Sequence, residues 1–196
     1  MATYPAVAAT SEAILGLLDA AAGDSEFDAV EFEHYDAADL GKAATDTVSL
    51  LLYAVTLNPN RRPVQPRIEP DGATFRPAVP LDLHYLVTAW AEHPVRQQRL
   101  LGWCIRVLAD TPTLPAGILN HFGPEDDVFR PTETVELIWE PLSAQDLAEI
   151  WEGAKSNRQP SATFVARIVE IESRLTTDEH PLVQTREFDF AEAGTP

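Results

Sequence analysis

Two long apolar stretches constrain the fold of this chain most strongly, because each predicts a buried strand. Val48–Leu57 is a mostly apolar run that is interrupted only by Ser49, Tyr53 and Thr56. Thr163–Ile171 is apolar on both of the faces that a strand presents, with Phe164 and Ile168 on one face and Val165, Val169 and Ile171 on the other. Strands of this kind are typical of sheets that are covered on both sides. The fold must therefore supply helices or further strands to bury them.

The remaining elements follow from hydrophobic periodicity and from turn residues. Alternating apolar residues predict further strands, and apolar residues at helical spacing predict helices. Ser143 with Asp146 forms a capping box before the last helix. The expected elements are a helix at 3–22, strands at 30–33 and 48–57, a proline-rich loop at 58–80, a strand at 81–90, helices at 93–110 and 115–121, a strand at 134–140, a helix from 144 and a strand at 163–171.

This order predicts a single domain of the mixed α/β (α+β) class, with a central mixed sheet flanked by helices. We expect the domain to span residues 1–175. From Arg174 onward the chain has few large apolar residues, so residues 176–196 are expected to form an extended C-terminal tail.

The charge of the chain excludes some classes of partner. The 14 basic and 31 acidic side chains give a formal net charge of −17, which argues against binding to nucleic acids and to anionic membranes. The acidic residues concentrate in residues 1–46, whereas residues 61–110 have a small excess of arginine. No apolar stretch is long enough to span a bilayer, and the N-terminus does not resemble a secretory signal.

The sequence contains no motif that predicts a catalytic, cofactor or metal site. It lacks the glycine-rich phosphate loops, the HExxH zinc motif and paired cysteines. Its histidines are scattered, so a metal site would have to be assembled by folding. The single cysteine, Cys104, lies on an apolar helix face and is expected to be a buried, inert thiol. A hydrolase that uses Cys104 or a pair of carboxylates is the alternative.

The tryptophans and the proline-rich loop suggest contact surfaces. Each tryptophan falls at or beside an apolar face, which predicts core packing, with an exposed tryptophan at an oligomer interface as the alternative. The loop at 58–80 concentrates positive charge, and we expect it to dock on acidic surfaces of a neighbouring subunit or partner. The arginines in question are Arg61, Arg62, Arg67 and Arg76. In the tail, Phe188 and Phe190 alternate as in a strand that adds to the sheet edge of a neighbour.

Four stretches in register resemble the cap, or tail-terminator, proteins of extracellular contractile injection systems, which are phage-tail-like particles of the antifeeding-prophage and virulence-cassette type. The similarity covers about residues 5–175. The stretches are Ser49–Val55 leading into Asn58-Pro59-Asn60-Arg61, Pro80–Trp90 leading into Leu100-Leu101-Gly102, Glu140–Ser143 with Leu147 and Trp151, and Thr163–Ser173.

The resemblance implies a structural protein without catalysis and without a cofactor. It implies a hexameric ring that ends the inner tube, anchors the end of the sheath and therefore has the tube and sheath proteins as partners. Assembly would take place in the cytoplasm, within a particle that can be released. A monomeric adaptor or assembly chaperone for a tail component is the alternative, and the mass of the protein in solution would distinguish the two.

Overall fold

Six strands form one mixed sheet, in a computed structural model that describes residues 2–42, 44–61, 65–125, 127–155 and 158–177. The strand order across the sheet is β1-β2-β5-β8-β7-β6. Strand β1 runs parallel to β2, and all other neighbours are antiparallel. The strands of this sheet are β1 (Glu31–His34), β2 (Thr47–Leu57), β5 (Val79–Trp90), β6 (Thr113–Pro115), β7 (Thr134–Trp139) and β8 (Ser161–Ile171).

Four helices cover the sheet unequally. The helices are α1 (Ala6–Ala22), α2 (Pro94–Asp110), α3 (Ala116–Phe122) and α4 (Ala144–Gly153). Helices α1, α2 and α3 pack on one face, which we call the three-helix face, and they build the main core with alternate residues of the strands. Leu18, Leu108 and Tyr85 are fully buried there. This face buries most of the apolar surface that stabilises the domain.

Among the helices of the described residues, α4 alone packs on the opposite face, which we call the one-helix face. A second, smaller cluster of buried side chains lies beneath it: Leu40, Leu51, Leu86 and Trp151. The Trp151 ring meets the Trp90 ring edge to face, with 6.0 Å between the centroids. Ser143 begins the helix as predicted, since its hydroxyl accepts a hydrogen bond from the Asp146 amide at 3.1 Å. The mixed α/β fold expected from the sequence, with a central mixed sheet flanked by helices, is thereby confirmed.

One prediction about the faces of β8 is wrong, because the strand contains a bulge. The pairing with β5 shifts register between Leu81 and Leu83, and Ile168 adopts a left-handed φ of 61°. The extra residue turns Val169 toward the three-helix face, whereas Val165 stays on the opposite face. The Asp82 carboxylate accepts a hydrogen bond from the Ile168 amide at 3.1 Å and thereby satisfies the backbone at the bulge.

The proline-rich stretch at 58–80 contains more structure than the predicted loop. A 3₁₀ turn occupies Pro59–Arg61, and a small antiparallel hairpin follows it, built from β3 (Arg67–Ile68) and β4 (Thr74–Phe75). Gly72 adopts a φ of 87° in the connecting turn, a conformation that favours glycine. Strand β6 was also missed, because three residues are too few to show a period of two.

Candidate assembly surfaces

The hairpin is the core of a small protrusion to which the chain returns after β8. The Arg76 amide donates to the Leu175 carbonyl at 3.0 Å, and the Thr177 amide donates to the Thr74 carbonyl at 2.7 Å. Residues 175–177 therefore lie beside β4 as a third, irregular strand. We call residues 67–76 together with 175–177 the arm.

Arg67 fastens the arm to the rest of the domain. Its guanidinium lies 4.0 Å from the centroid of the Phe75 ring. Its Nε lies 3.1 Å from the Glu172 carboxylate, which also accepts from Arg130 at 2.8 Å. Only 17% of the Arg67 side chain is exposed, so this arginine holds the arm in place and presents little charge to a partner.

The other predicted contact residues have different positions. Arg76 is exposed on the outward side of the arm, where Ile68 and Leu175 are 70% and 59% exposed. Arg61 lies nearby with 57% of its side chain exposed, 3.3 Å from the Glu170 carboxylate. The outward side of the arm thus combines apolar side chains with positive charge. Arg62, Phe188 and Phe190 lie outside the described residues.

Sequence reasoning missed a second surface, a groove between β2 and α4 on the one-helix face. The groove has a volume of about 660 Å³. Its floor is apolar and includes Leu51, Tyr53 and Ile150, while Asp36 and Glu149 line its rim. Glu33 and Asp39 lie in an adjoining depression. The acidic excess in residues 1–46 was visible in the sequence, but its position beside α4 was not.

The edge of β2 that borders this groove is partly unpaired. Strand β1 pairs only with Thr47–Leu50, and the Tyr35 amide makes one further bond to the Leu50 carbonyl. Within the described residues, no backbone group pairs with this edge from Leu51 to Leu57. Unpaired strand edges are templates for the addition of another extended segment. The groove and the edge together form a site that fits a peptide chain.

A polar cluster on the same face connects three segments of the chain through His84. His84 Nδ1 lies 2.6 Å from Glu140 Oε2, and its Nε2 lies 2.9 Å from Thr56 Oγ1. The order hydroxyl, imidazole, carboxylate matches that of a catalytic triad. However, Thr56 is exposed on the sheet surface and neither it nor His84 lines the groove. The cluster joins β2 and β5 to the residue that follows β7.

The single thiol lies in the core, as the sequence predicted. Cys104 is fully buried between α2 and the sheet. Burial raises the pKa of the Cys104 thiol to about 12, so the group is protonated at neutral pH and is a poor nucleophile.

Among the four tryptophans, Trp139 is the most exposed. Trp139 is 45% exposed at the end of β7 and packs edge-on against Phe164, with 5.3 Å between the ring centroids. Trp151 is fully buried, and Trp90 and Trp103 are half-buried. Core packing therefore accounts for three of the tryptophans, and Trp139 is the one available to a partner.

No group of three or more histidine, cysteine, aspartate or glutamate side chains in the described part of the chain is arranged to hold a metal ion. No described helix is long and apolar enough to cross a membrane.

Two solved structures have a similar fold. The PVC sheath/tube terminator of an extracellular contractile injection system, in its extended state, superposes with a TM-score of 0.63 at 14% identity, covering 96% of this chain and 64% of that chain. The tube-terminating cap of the anti-feeding prophage superposes with a TM-score of 0.55 at 13% identity, covering 83% of this chain and 55% of that chain. The chain thus spans less than two thirds of the length of both structures.

Comparison of the sequence with curated proteins gives no match. A family model, described as the Pvc16 N-terminal domain, matches residues 9–185, which is nearly the whole chain. The match agrees with the resemblance seen in the four sequence stretches, which all lie within residues 9–185. The chain therefore belongs to the Pvc16 N-terminal domain family and has the fold of the terminators of contractile injection systems.

Proposed function

We propose that this protein terminates the inner tube of a contractile injection system, as a six-membered ring seated on the last ring of the tube. The observation that supports this proposal is the family match over residues 9–185. Tube rings stack through a heterologous axial interface, which propagates until one face is blocked. A terminator needs one face that binds the tube and one face that cannot continue the stack. The two faces of the sheet are covered unequally, and this difference between surfaces of the domain supports the proposal.

In this proposal the protein has a structural role and acts without a cofactor. Its partners are a second copy of itself, the inner tube protein and the sheath protein, whose last layer it anchors. Assembly takes place in the cytoplasm, and the protein leaves the cell with the particle. Residues 1–175 form the terminator domain, and residues 176–196 are the tail that contacts a neighbour.

Deletion of the gene tests termination directly. Particles that lack the protein should have tubes of variable length without density at the capped end, as measured by electron microscopy. Expression of the full chain in the same cells should restore a single length. A deletion strain with tubes of normal, uniform length would refute the proposal.

Oligomeric state separates the ring from the adaptor alternative. Analytical ultracentrifugation in high salt, with and without tube protein, should show a species of about six protomers, since a closed ring is the expected symmetric assembly. A stable monomer under both conditions would favour the adaptor, and a dimer alone would exclude the ring.

Truncation tests the tail. We propose that Phe188 and Phe190 add to a sheet edge of a neighbouring subunit or of the sheath. Truncation after Ser173 would remove them, but it would also remove the third strand of the arm at residues 175–177. Truncation after Thr177 is therefore the sharper variant, since it preserves the arm. It should leave the domain folded and weaken the ring or the attachment of the sheath. Normal particles that retain the sheath would show that the tail has no such role.

A further inference from the structure

The groove on the one-helix face has the chemistry of a receptor for a basic, partly apolar segment. Its floor is apolar at Tyr53 and Ile150, so it can accept aliphatic side chains. Its rim is acidic at Asp36 and Glu149, so it favours positive charge in a segment that docks there. The unpaired edge of β2 from Leu51 to Leu57 supplies backbone hydrogen bonds along one side.

The charge of the rim selects among the segments of this chain. Residues 178–196 contain five acidic side chains and one arginine, so the rim repels them. The outward side of the arm has the complementary composition, since Ile68 and Leu175 are largely exposed and Arg76 is exposed beside them.

The arm cannot reach the groove of its own chain. The groove lies beside the Leu50 end of β2, and the arm lies beyond Leu57, at the other end of the strand. Tyr53, the β2 residue of the groove nearest to that end, is separated from Leu57 by ~13 Å at a rise of ~3.3 Å per residue. In addition, Arg67 holds the arm to the domain through Glu172. A contact between the two surfaces must therefore join different copies.

We propose that the arm of one copy docks in the groove of the next, with Ile68 and Leu175 on the apolar floor and Arg76 facing the rim at Glu149. The two surfaces are different, so the contact is heterologous and can close a ring. This inference rests on the proposed ring and identifies the two surfaces that would join its subunits.

A charge exchange tests the contact. Arg76→Glu and Glu149→Arg should each weaken self-association roughly tenfold, because each places like charges opposite one another. Both changes in the same chain should restore association to within about threefold of the wild type, since the pair is re-formed with its signs exchanged. Asp24→Arg is the matched control, because Asp24 is exposed and lies outside the groove. It should associate like the wild type.

Analytical ultracentrifugation of the full chain gives the association, and far-ultraviolet circular dichroism confirms folding. The inference would be overturned if the single charge reversals left self-association unchanged or if the double variant did not recover it. A wild-type chain that remains monomeric would overturn it as well. Normal capping of tubes by Glu149→Arg would overturn it while leaving the proposed terminator intact. If the double variant recovers association but tubes have the same length with and without the wild-type protein, the result would support the contact and refute termination.

Cross-linking provides a second measurement that does not depend on charge. Ile68→Cys combined with Ala154→Cys places one thiol on the arm and one at the groove, while the natural Cys104 is buried. A short bis-maleimide should produce a ladder of covalent oligomers. Ile68→Cys combined with Gly102→Cys, where Gly102 is exposed on α2, is the control and should remain monomeric. Equal ladders in both variants, or none in either, would contradict the contact.

Discussion

The two faces of the sheet differ in how completely they are covered, and the difference separates stability from binding. Three helices enclose the main core on one face, whereas α4 alone covers a small cluster on the other. The one-helix face is therefore left with the groove, the unpaired edge of β2 and the exposed Thr56. Burial on one face stabilises the domain enough for the other face to remain open.

Matched leucine substitutions should show the largest difference between the faces. Leu108 is fully buried on α2, and Leu147 is half-buried on α4. Leu108→Ala should lower the free energy of unfolding by about 3 kcal/mol, whereas Leu147→Ala should lower it by about 1 kcal/mol because part of its side chain is already in water. Urea denaturation followed by circular dichroism measures both. Equal losses would show that the two faces contribute alike.

The next largest loss of stability is expected from a substitution at the bulge in β8. Asp82 accepts hydrogen bonds from the buried Asn58 side chain at 2.9 Å and from the Ile168 amide at 3.1 Å. Asp82→Ala leaves these donors unpaired and should cost about 2 kcal/mol of stability. Asp71→Ala is the control, since Asp71 also accepts from a backbone amide, that of Ala73, but is exposed. It should cost less than about 1 kcal/mol. A loss at Asp82 no larger than at Asp71 would contradict this role.

Alkaline pH should begin to lower the free energy of unfolding at different pH values through the two faces. On the one-helix face, burial and then the charges of Glu140 and Asp146 raise the pKa of Tyr53 from 10.0 to about 12. On the three-helix face, burial raises the pKa of Cys104 from 9.0 to about 12. In each case the unfolded chain loses its proton first. Stability should therefore begin to fall near pH 9 through Cys104 and near pH 10 through Tyr53.

Single variants separate the two contributions. Cys104→Ala should make the decline near pH 9 shallower, and Tyr53→Phe should do so only above pH 10. Both are measured as the free energy of unfolding against pH, each relative to its own value at pH 7. A variant with the wild-type slope would show that its group does not contribute.

The smallest effect on stability is expected beside the arm. Arg61 makes one exposed ion pair with Glu170, and such pairs contribute roughly 0–1 kcal/mol. Arg61→Ser with Arg62→Ser should therefore leave the melting temperature almost unchanged while weakening association with the ring or tube. Arg99→Ser with Arg106→Ser removes the same charge from exposed pairs on α2, and should leave association unchanged. Normal particle length and cap occupancy in the Arg61 and Arg62 variant would count against a docking role.

The elements with strong periodicity could be predicted from the sequence, and the surfaces could not. Residues 81–90 and 93–110 match β5 and α2 closely, because local hydrophobic spacing determines both. The hairpin was missed because two-residue strands have no period. The predicted face of Val169 was wrong, because the bulge in β8 involves a hydrogen bond to the Asp82 carboxylate, which belongs to another strand. The groove depends on where β1 stops pairing with β2, a property of tertiary structure.

The contact between Trp90 and Trp151 has an optical consequence. The rings lie 6.0 Å apart, one on β5 and the other on α4, close enough for their excited states to couple. Coupled indoles give a paired band of opposite signs in the far-ultraviolet circular dichroism, where the strongest indole transition absorbs. This signal depends on α4 lying against the sheet, so it reports the only helix of the described residues on the one-helix face without a label. A ligand or neighbour that displaced α4 without unfolding it would abolish the band and leave the helix content almost unchanged.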